Sequence, residues 1–455
     1  MSQEQTTARR SLAGRSSRRR TLAVVGIAGL SLVLFLAGAL GVGRPPSPDQ
    51  PGSPRVFGVR PPAGGGLAAR IVSLQDRVRR VPKDSDGWAA LGLAYVEQAR
   101  VTVDPTYYAK AEGALQRSLS IDPRDNFAAC TGMAALASAR HEFSAAREWA
   151  RRGLAINPSS PTLYGALGDA ETQLGNYQEA FGAIQRMVDL VPDTASLARA
   201  SYTWELRGDI DQARGLMQRA LDDATTPADR GFARYHLGEL AFNAGDPTAA
   251  LEQYERGLTS DPSSVALLAG KAKAEAALGR TGAALSGYAE VVSRVPEPGY
   301  LVEYGELLQS LGRTAEAEEQ YRLFGSVQKL LESNGVALDV DPALFQADHG
   351  DRRLALQYAE AGLRIRPFIE MDDAYAWALH VNGRHAEALG WSKKALALGT
   401  RNALFHFHAG MIQRSLGDAG AARGHLMQAL EINPHFSPLL APVARQALDQ
   451  LAGDL

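Results

Sequence analysis

The stretch Leu163 to Pro192, LYGALGDAETQLGNYQEAFGAIQRMVDLVP, decides the architecture of the chain. Tyr164, Leu167, Gly168 and Glu171 follow one another at intervals of three, one and three, so they share one face of a helix. Small Gly168 faces the partner helix there. Gly175-Asn176 breaks the helical period, a second helix follows with Ala180 and Ile184 on one face, and Pro192 stops it. A lone hairpin of this size cannot bury its apolar stripe, so the pattern predicts similar neighbours on both sides.

Those neighbours are present. Measured by the turn glycine, the pattern returns at Gly208, Gly245, Gly279, Gly312, Gly350, Gly383 and Gly417, with steps of 33, 37, 34, 33, 38, 33 and 34 residues. Five residues after each glycine stands an alanine: Ala180, Ala213, Ala250, Ala284, Ala317, Ala355, Ala388 and Ala422. Prolines such as Pro158, Pro192, Pro262 and Pro367 close the second helices. These residues resemble the tetratricopeptide repeat, whose consensus runs W-x2-L-G-x2-Y, then A-x3-F, then P. Trp88, Leu91, Gly92 and Tyr95 match its first helix in full. The resemblance covers Leu67 to Pro434. It implies an all-α fold, a right-handed superhelical solenoid of about ten helical hairpins, and for function a binding scaffold.

Length alone would suggest about three globular domains, but a repeat array uses such a length as one unit. With 45% hydrophobic and 22% charged residues and a net charge of −2, neither sign dominates, which argues against a nucleic-acid or polyanion binder. Arginine outnumbers lysine, and alanine and glycine are abundant, as a GC-rich bacterial genome tends to encode. The single cysteine, Cys130, excludes a disulfide framework and reads as a buried thiol.

Residues 1–20 carry Arg9, Arg10, Arg15, Arg18, Arg19 and Arg20 against one acid, Glu4, and read as a basic cytoplasmic tail. Residues 21–43 hold no charge over 23 positions, roughly 34 Å of helix at about 1.5 Å per residue, and read as one N-terminal transmembrane signal-anchor helix. The arginines ahead of it place the N-terminus inside and the array on the extracytoplasmic side of the cytoplasmic membrane, a single-pass arrangement. A second reading stays open. Ala37-Gly38-Ala39 matches a cleavage pattern, so the chain would be an exported soluble binding protein for a small ligand, a cell-wall polymer or a metal ion, released near Ala39. Residues 44–66 form a Pro/Gly-rich linker, 67–434 the repeat array, and 435–455 a C-terminal capping helix centred on Val443 to Leu451. Inside the array, extra residues between Tyr95 and Ala111 predict a longer loop, and His141 stands where a turn glycine belongs. The segment near residue 335 reads as irregular, with an extended helix before it and a short one after it.

No phosphate loop, nucleophile elbow, HExxH or paired cysteines occur, so the chain reads as no enzyme, with no cofactor and no metal. Seven of nine histidines lie in the last third, and their spacing reads as scattered surface and packing positions. The remaining functional surface is the concave face, which the resemblance assigns to the first helices. There it places Tyr202, Glu205, Tyr235, Glu239, Phe242, Lys273, Glu306, Gln309, Asp373, Trp377, His380, Phe407, Met411 and Arg414. Aromatic anchors interleaved with charges suit a protein or peptide partner. Placing Gly168 and Gly238 against their partner helices has a measurable consequence: Gly168→Leu or Gly238→Leu overpacks the hairpin and costs about 1 to 3 kcal/mol, read as a lowered midpoint in chemical unfolding.

Overall fold

The computed structural model describes residues 66–102, 104–336 and 340–453. Among these residues there are 22 helices and no strand. A single helix, α1 (Leu67–Arg80), leads into ten hairpins. The first five pair α2 (Ser85–Thr102) with α3 (Thr106–Ile121), α4 (Phe127–Ala139) with α5 (Phe143–Ile156), α6 (Pro161–Gln173) with α7 (Tyr177–Leu190), α8 (Thr194–Glu205) with α9 (Ile210–Asp223), and α10 (Pro227–Asn243) with α11 (Pro247–Ser260). The next five pair α12 (Val265–Ala277) with α13 (Thr281–Arg294), α14 (Pro298–Ser310) with α15 (Thr314–Ser333), α16 (Val340–His349) with α17 (Arg352–Ile365), α18 (Ile369–Val381) with α19 (His385–Ala395), and α20 (Ala403–Ser415) with α21 (Ala419–Ile432). Helix α22 (Leu440–Gly453) follows.

Each hairpin is built by local chemistry. Ser160 caps α6 by accepting from the Leu163 N–H, Asp209 caps α9 through Gln212, and Asp246 caps α11 through Ala249. At the tip of the third hairpin Gly175 takes φ +74°, and the Asn176 N–H reaches back to the Glu171 carbonyl at 2.9 Å, which satisfies a helix-end acceptor. His141 adopts the same left-handed backbone, φ 60°, and Glu142 makes the same bond to Ala137 at 2.8 Å. Its ring is buried and stacked on Phe143 at 5.7 Å, an attraction that offsets the strain glycine would avoid. Gly350 departs from the expected pattern. It has no left-handed φ, and the Gln346 side chain accepts from the Asp351 N–H at 2.8 Å instead.

The alanine five residues after each turn lies buried between the two helices of its hairpin. None of the eight is more than 1% exposed. Opposite Ala180 and Ala422 the first helix carries glycine, Gly168 and Gly410: a Cβ on Gly168 would lie 2.3 Å from Ile184 Cδ1. The fully buried Cys130 belongs to α4, where burial pushes its thiol pKa up.

The longer loop expected between Tyr95 and Ala111 is not formed. Instead α2 runs for 18 residues and α3 begins at Thr106, so the extra residues lengthen helices. Val96, Ala99 and Tyr108 stay buried along that extension, which makes helix the better use of the insertion. Near residue 335 the expected irregularity is present: α15 has 20 residues and α16 only 10.

The array also closes on itself. Phe324, Val327, Leu331 and Val336, from the long α15 and its end, share one apolar core with Ile71, Leu74 and Val78 of α1 and with Tyr95 and Tyr108. Further along, Arg366 donates to Gln173 Oε1 at 2.6 Å, the Ile369 N–H to the Tyr177 hydroxyl at 2.9 Å, and the Tyr202 hydroxyl to Glu370 at 3.2 Å. Leu206, Ile369, Ala395 and Phe405 form an apolar cluster across the same seam. Hairpin one thus meets hairpin seven, and later hairpins meet at a similar offset: a second superhelical turn rests on the first.

Three tip glycines sit in that seam. A Cβ would lie 2.5 Å from the Pro367 carbonyl oxygen at Gly175, 2.2 Å from that of Gly399 at Gly208, and 2.8 Å from that of Ile432 at Gly245. Among the described residues, no helix is long and apolar enough to cross a membrane. The uncharged segment 21–43, with its flanking tail and linker, lies outside the described residues apart from Gly66. The seam predicts a paired experiment. Gly279→Ala, at φ +73° with open space around it, costs about 1 kcal/mol of backbone strain alone. Gly208→Ala, at φ +75° against Gly399, loses more and expands the particle in small-angle scattering.

Candidate functional site

The first helices of the hairpins carry the concave-face residues, and in the middle of the array they form a connected polar ladder. Lys273 of α12 donates to both carboxylate oxygens of Glu239 on α10, at 2.9 and 2.7 Å. Tyr254 of α11 donates its hydroxyl to the same Glu239 at 2.5 Å, and Tyr288 of α13 donates to Glu303 of α14 at 2.9 Å. Tyr321 of α15 donates to Gln309 at 2.9 Å. Lys273 also lies 4.8 Å from the centre of the Phe242 ring. Tyr254, Tyr288 and Tyr321 each stand four residues after the buried alanine, where the consensus has phenylalanine. Three consecutive second helices therefore push a phenol through the hairpin to a polar group on the inner face.

Burial sets the electrostatics of this ladder. Removal from water pulls Lys273 toward the neutral form, but Glu239 and Glu303 outweigh it and its pKa is raised. Glu303 is raised by burial, with Lys273 opposing. Glu205, at the end of α8, is pushed up to about 7 by burial first and then by the charges of Glu239 and Glu370, with Asn243 opposing. Glu297 is raised well above the usual carboxylate range by burial and by Asp341 and Glu303.

The expected site residues fall into two sets. Tyr202, Glu205, Tyr235, Glu239 and Phe242 lie on α8 and α10, next to Lys273, with Tyr235 and Phe242 each 6% exposed. Tyr202 is joined across the seam to Glu370. Trp377, His380, Phe407 and Met411 lie on α18 and α20. Trp377 donates to Asp348 at 2.7 Å and stacks between His408, at 4.2 Å, and His380, at 4.9 Å. Phe407 is buried against Trp377 and Phe436. Met411 is partly buried at the edge of that core. Arg414 is separate from both sets: it is exposed and donates to Gln450 on α22 at 2.6 Å. Of the remaining positions, Glu306 meets His349 at 3.2 Å and Ser437 at 3.4 Å, and Gln309 is exposed.

The histidines are not scattered. His406 and His425 bring their Nδ1 atoms to 3.0 Å, His380 and His385 to 3.2 Å, and His408 Nδ1 lies 2.8 Å from Asp373 Oδ2. Burial lowers His380 and His406 to about 4, so these rings are neutral at pH 7. Among the described residues no three candidate metal ligands come together. Sequence reasoning missed Tyr254, Tyr288, Glu303, Glu370 and Asp348. The alanine-x3-tyrosine spacing was a readable signal for the two tyrosines; Glu370 and Asp348 join only through tertiary packing.

Tetratricopeptide-repeat profiles match residues 131–195 and 206–265, and a further one matches 403–436. No curated protein matches the chain. Among solved structures it is similar to the anaphase-promoting complex hetero-tetramer Cut9–Hcn1, 13% identical over 84% of this chain and 81% of that one, TM-score 0.40. It is also similar to the human IFIT1 dimer with PPP-AAAA, 13% identical over 81% and 87%, TM-score 0.45. A third is a thermophilic tetratricopeptide-repeat protein of Thermus thermophilus, 21% identical over 42% and 98%, TM-score 0.36.

Glu205 ties the site to pH. Its folded pKa, about 7, exceeds the unfolded value near 4.5, so between them the folded chain holds the extra proton and stability falls as pH rises. Thermal unfolding followed from about pH 5 to about pH 8 should show this decline, and Glu205→Gln should flatten it and raise the midpoint at the alkaline end.

Proposed function

We propose that the tetratricopeptide-repeat solenoid formed by these helices is a non-catalytic scaffold for a protein or peptide partner, held by residues 21–43 on the outer side of a bacterial cytoplasmic membrane. The observation that carries the reading is the ladder of tyrosines and acids on the inner face of α10, α12 and α14. It offers similar polar groups at the spacing of the repeats, beside the Tyr235 and Phe242 rings, which suits a chain laid along successive hairpins. Support for the anchor is the run of 23 uncharged residues with six arginines before it. Anchoring would confine the array to the surface and raise the effective concentration of any membrane-associated partner without new contacts.

Cross-linking intact spheroplasts with a membrane-impermeant reagent, followed by mass spectrometry, tests both halves of the proposal. The expected result is one or a few proteins attached near Tyr235, Glu239 or Trp377, lost in Glu239→Ala. Labelling of the repeats only after lysis would place the array in the cytoplasm and overturn the topology; labelling of the repeats without any attached protein would overturn the scaffold reading.

A further inference from the structure

The seam between the two superhelical turns encloses a cavity of about 210 Å³. One wall comes from the first turn, where Glu205 closes α8 and Phe242 and Asn243 close α10. The other comes from the second turn, where Arg401 and Leu404 belong to the approach and start of α20 and Phe436 follows α21. The polar residues are thus unlike on the two sides: an acid and an amide, Glu205 and Asn243, on one, and an arginine, Arg401, on the other. Phe242, Leu404 and Phe436 supply an apolar lining between them.

Arg401 carries its charge at neutral pH, and Glu205, whose pKa is pushed up to about 7, gives up its proton when a cation is set beside it. Glu205 lies in the field of two further carboxylates, Glu239 and Glu370, and its one opposing neighbour is the neutral amide of Asn243. A cation placed beside it would be attracted by all three acids. Arg401 is exposed and makes no ion pair or side-chain hydrogen bond among the described residues. The volume lies below the roughly 300 to 1,000 Å³ of sites for drug-sized molecules, so the occupant is smaller than those.

From this arrangement we infer that the cavity is a binding site for a free α-amino acid with an apolar side chain, its ammonium set on Glu205 and its carboxylate on Arg401. A peptide segment offers both charges on one α-carbon nowhere along its length, which separates this ligand from the partner of the inner face. The inference differs from the scaffold reading in its ligand, although Phe242 and the field of Glu239 are shared with the ladder. It gives closure of the superhelix a function: two residues far apart in the chain become the two poles of one site.

Isothermal titration of the full chain, purified in mild detergent, with leucine, isoleucine, valine, methionine and phenylalanine is the test. At least one should bind at one per chain. Isopentylamine, which lacks the carboxylate of leucine, and isocaproate, which lacks its amine, should each bind roughly tenfold or more weakly than leucine, because each leaves one charge unmatched. Glu205→Gln and Arg401→Ala should weaken the amino acid by a similar factor, with thermal unfolding reporting that both variants are folded. Absence of saturable heat from all five amino acids would overturn the site. Equal binding of leucine and isopentylamine, or folded variants with unchanged affinity, would overturn the assignment of its poles.

Discussion

The rest of the structure depends on how closely two backbones approach at the tips of the third, fourth and fifth hairpins. Gly175, Gly208 and Gly245 end their first helices in the left-handed conformation, and each also presents its bare Cα to a carbonyl of the second superhelical turn. One residue type meets two demands there. The tip glycines at 279, 312, 383 and 417 meet only the first, because nothing lies within 4 Å of where their Cβ would be. A solenoid whose hairpins touched only their neighbours would need the glycine for its turn alone. Here the pitch is low enough that hairpin one and hairpin seven share a core, so the unit of stability is a closed turn and not a chain of nearest-neighbour interfaces.

Closure changes what the inner face can be. Inward side chains lose water without reaching a dry apolar core, and the chain meets that cost with phenols and matched charges. Tyr254 and Tyr288 satisfy Glu239 and Glu303, Lys273 neutralises Glu239, and deeper in the wall Arg199 grips Asp169 at 2.8 Å with its side chain 2% exposed. Where acids outnumber their partners, as at Glu205 and Glu297, burial and like charges hold protons on. The same crowding of acids makes the seam receptive to a cation and sensitive to pH.

Much of this was legible from residue spacing. Alanine five residues after each turn and proline after most second helices predict helices, hairpins and burial because each depends on neighbours a few residues away. His141 was readable as a turn residue for the same reason. Two local readings differed: the insertion after Tyr95 lengthens two helices where a loop was expected, since its apolar residues continue the helical stripe, and Gly350 is bypassed by Gln346. For the site, the residues of α8, α10 and α18 were found by register, whereas the pairing of histidines was not. His406 with His425 and His408 with Asp373 join different helices, and spacing along one helix carries no record of that.

What the sequence by itself determined is the repeat: ten helical hairpins, their turns, their close-packed faces and the register that points particular side chains inward. Only the tertiary structure decided that the array closes, that Tyr202 meets Glu370, and that Glu205 and Arg401 line one cavity. The physical reason is accumulation. Each hairpin is rotated on the last by a small angle set by side-chain packing, and six such angles must add up before the second turn meets the first. Small differences at each step, too small to leave a mark in local periodicity, decide between an open spiral and a closed one.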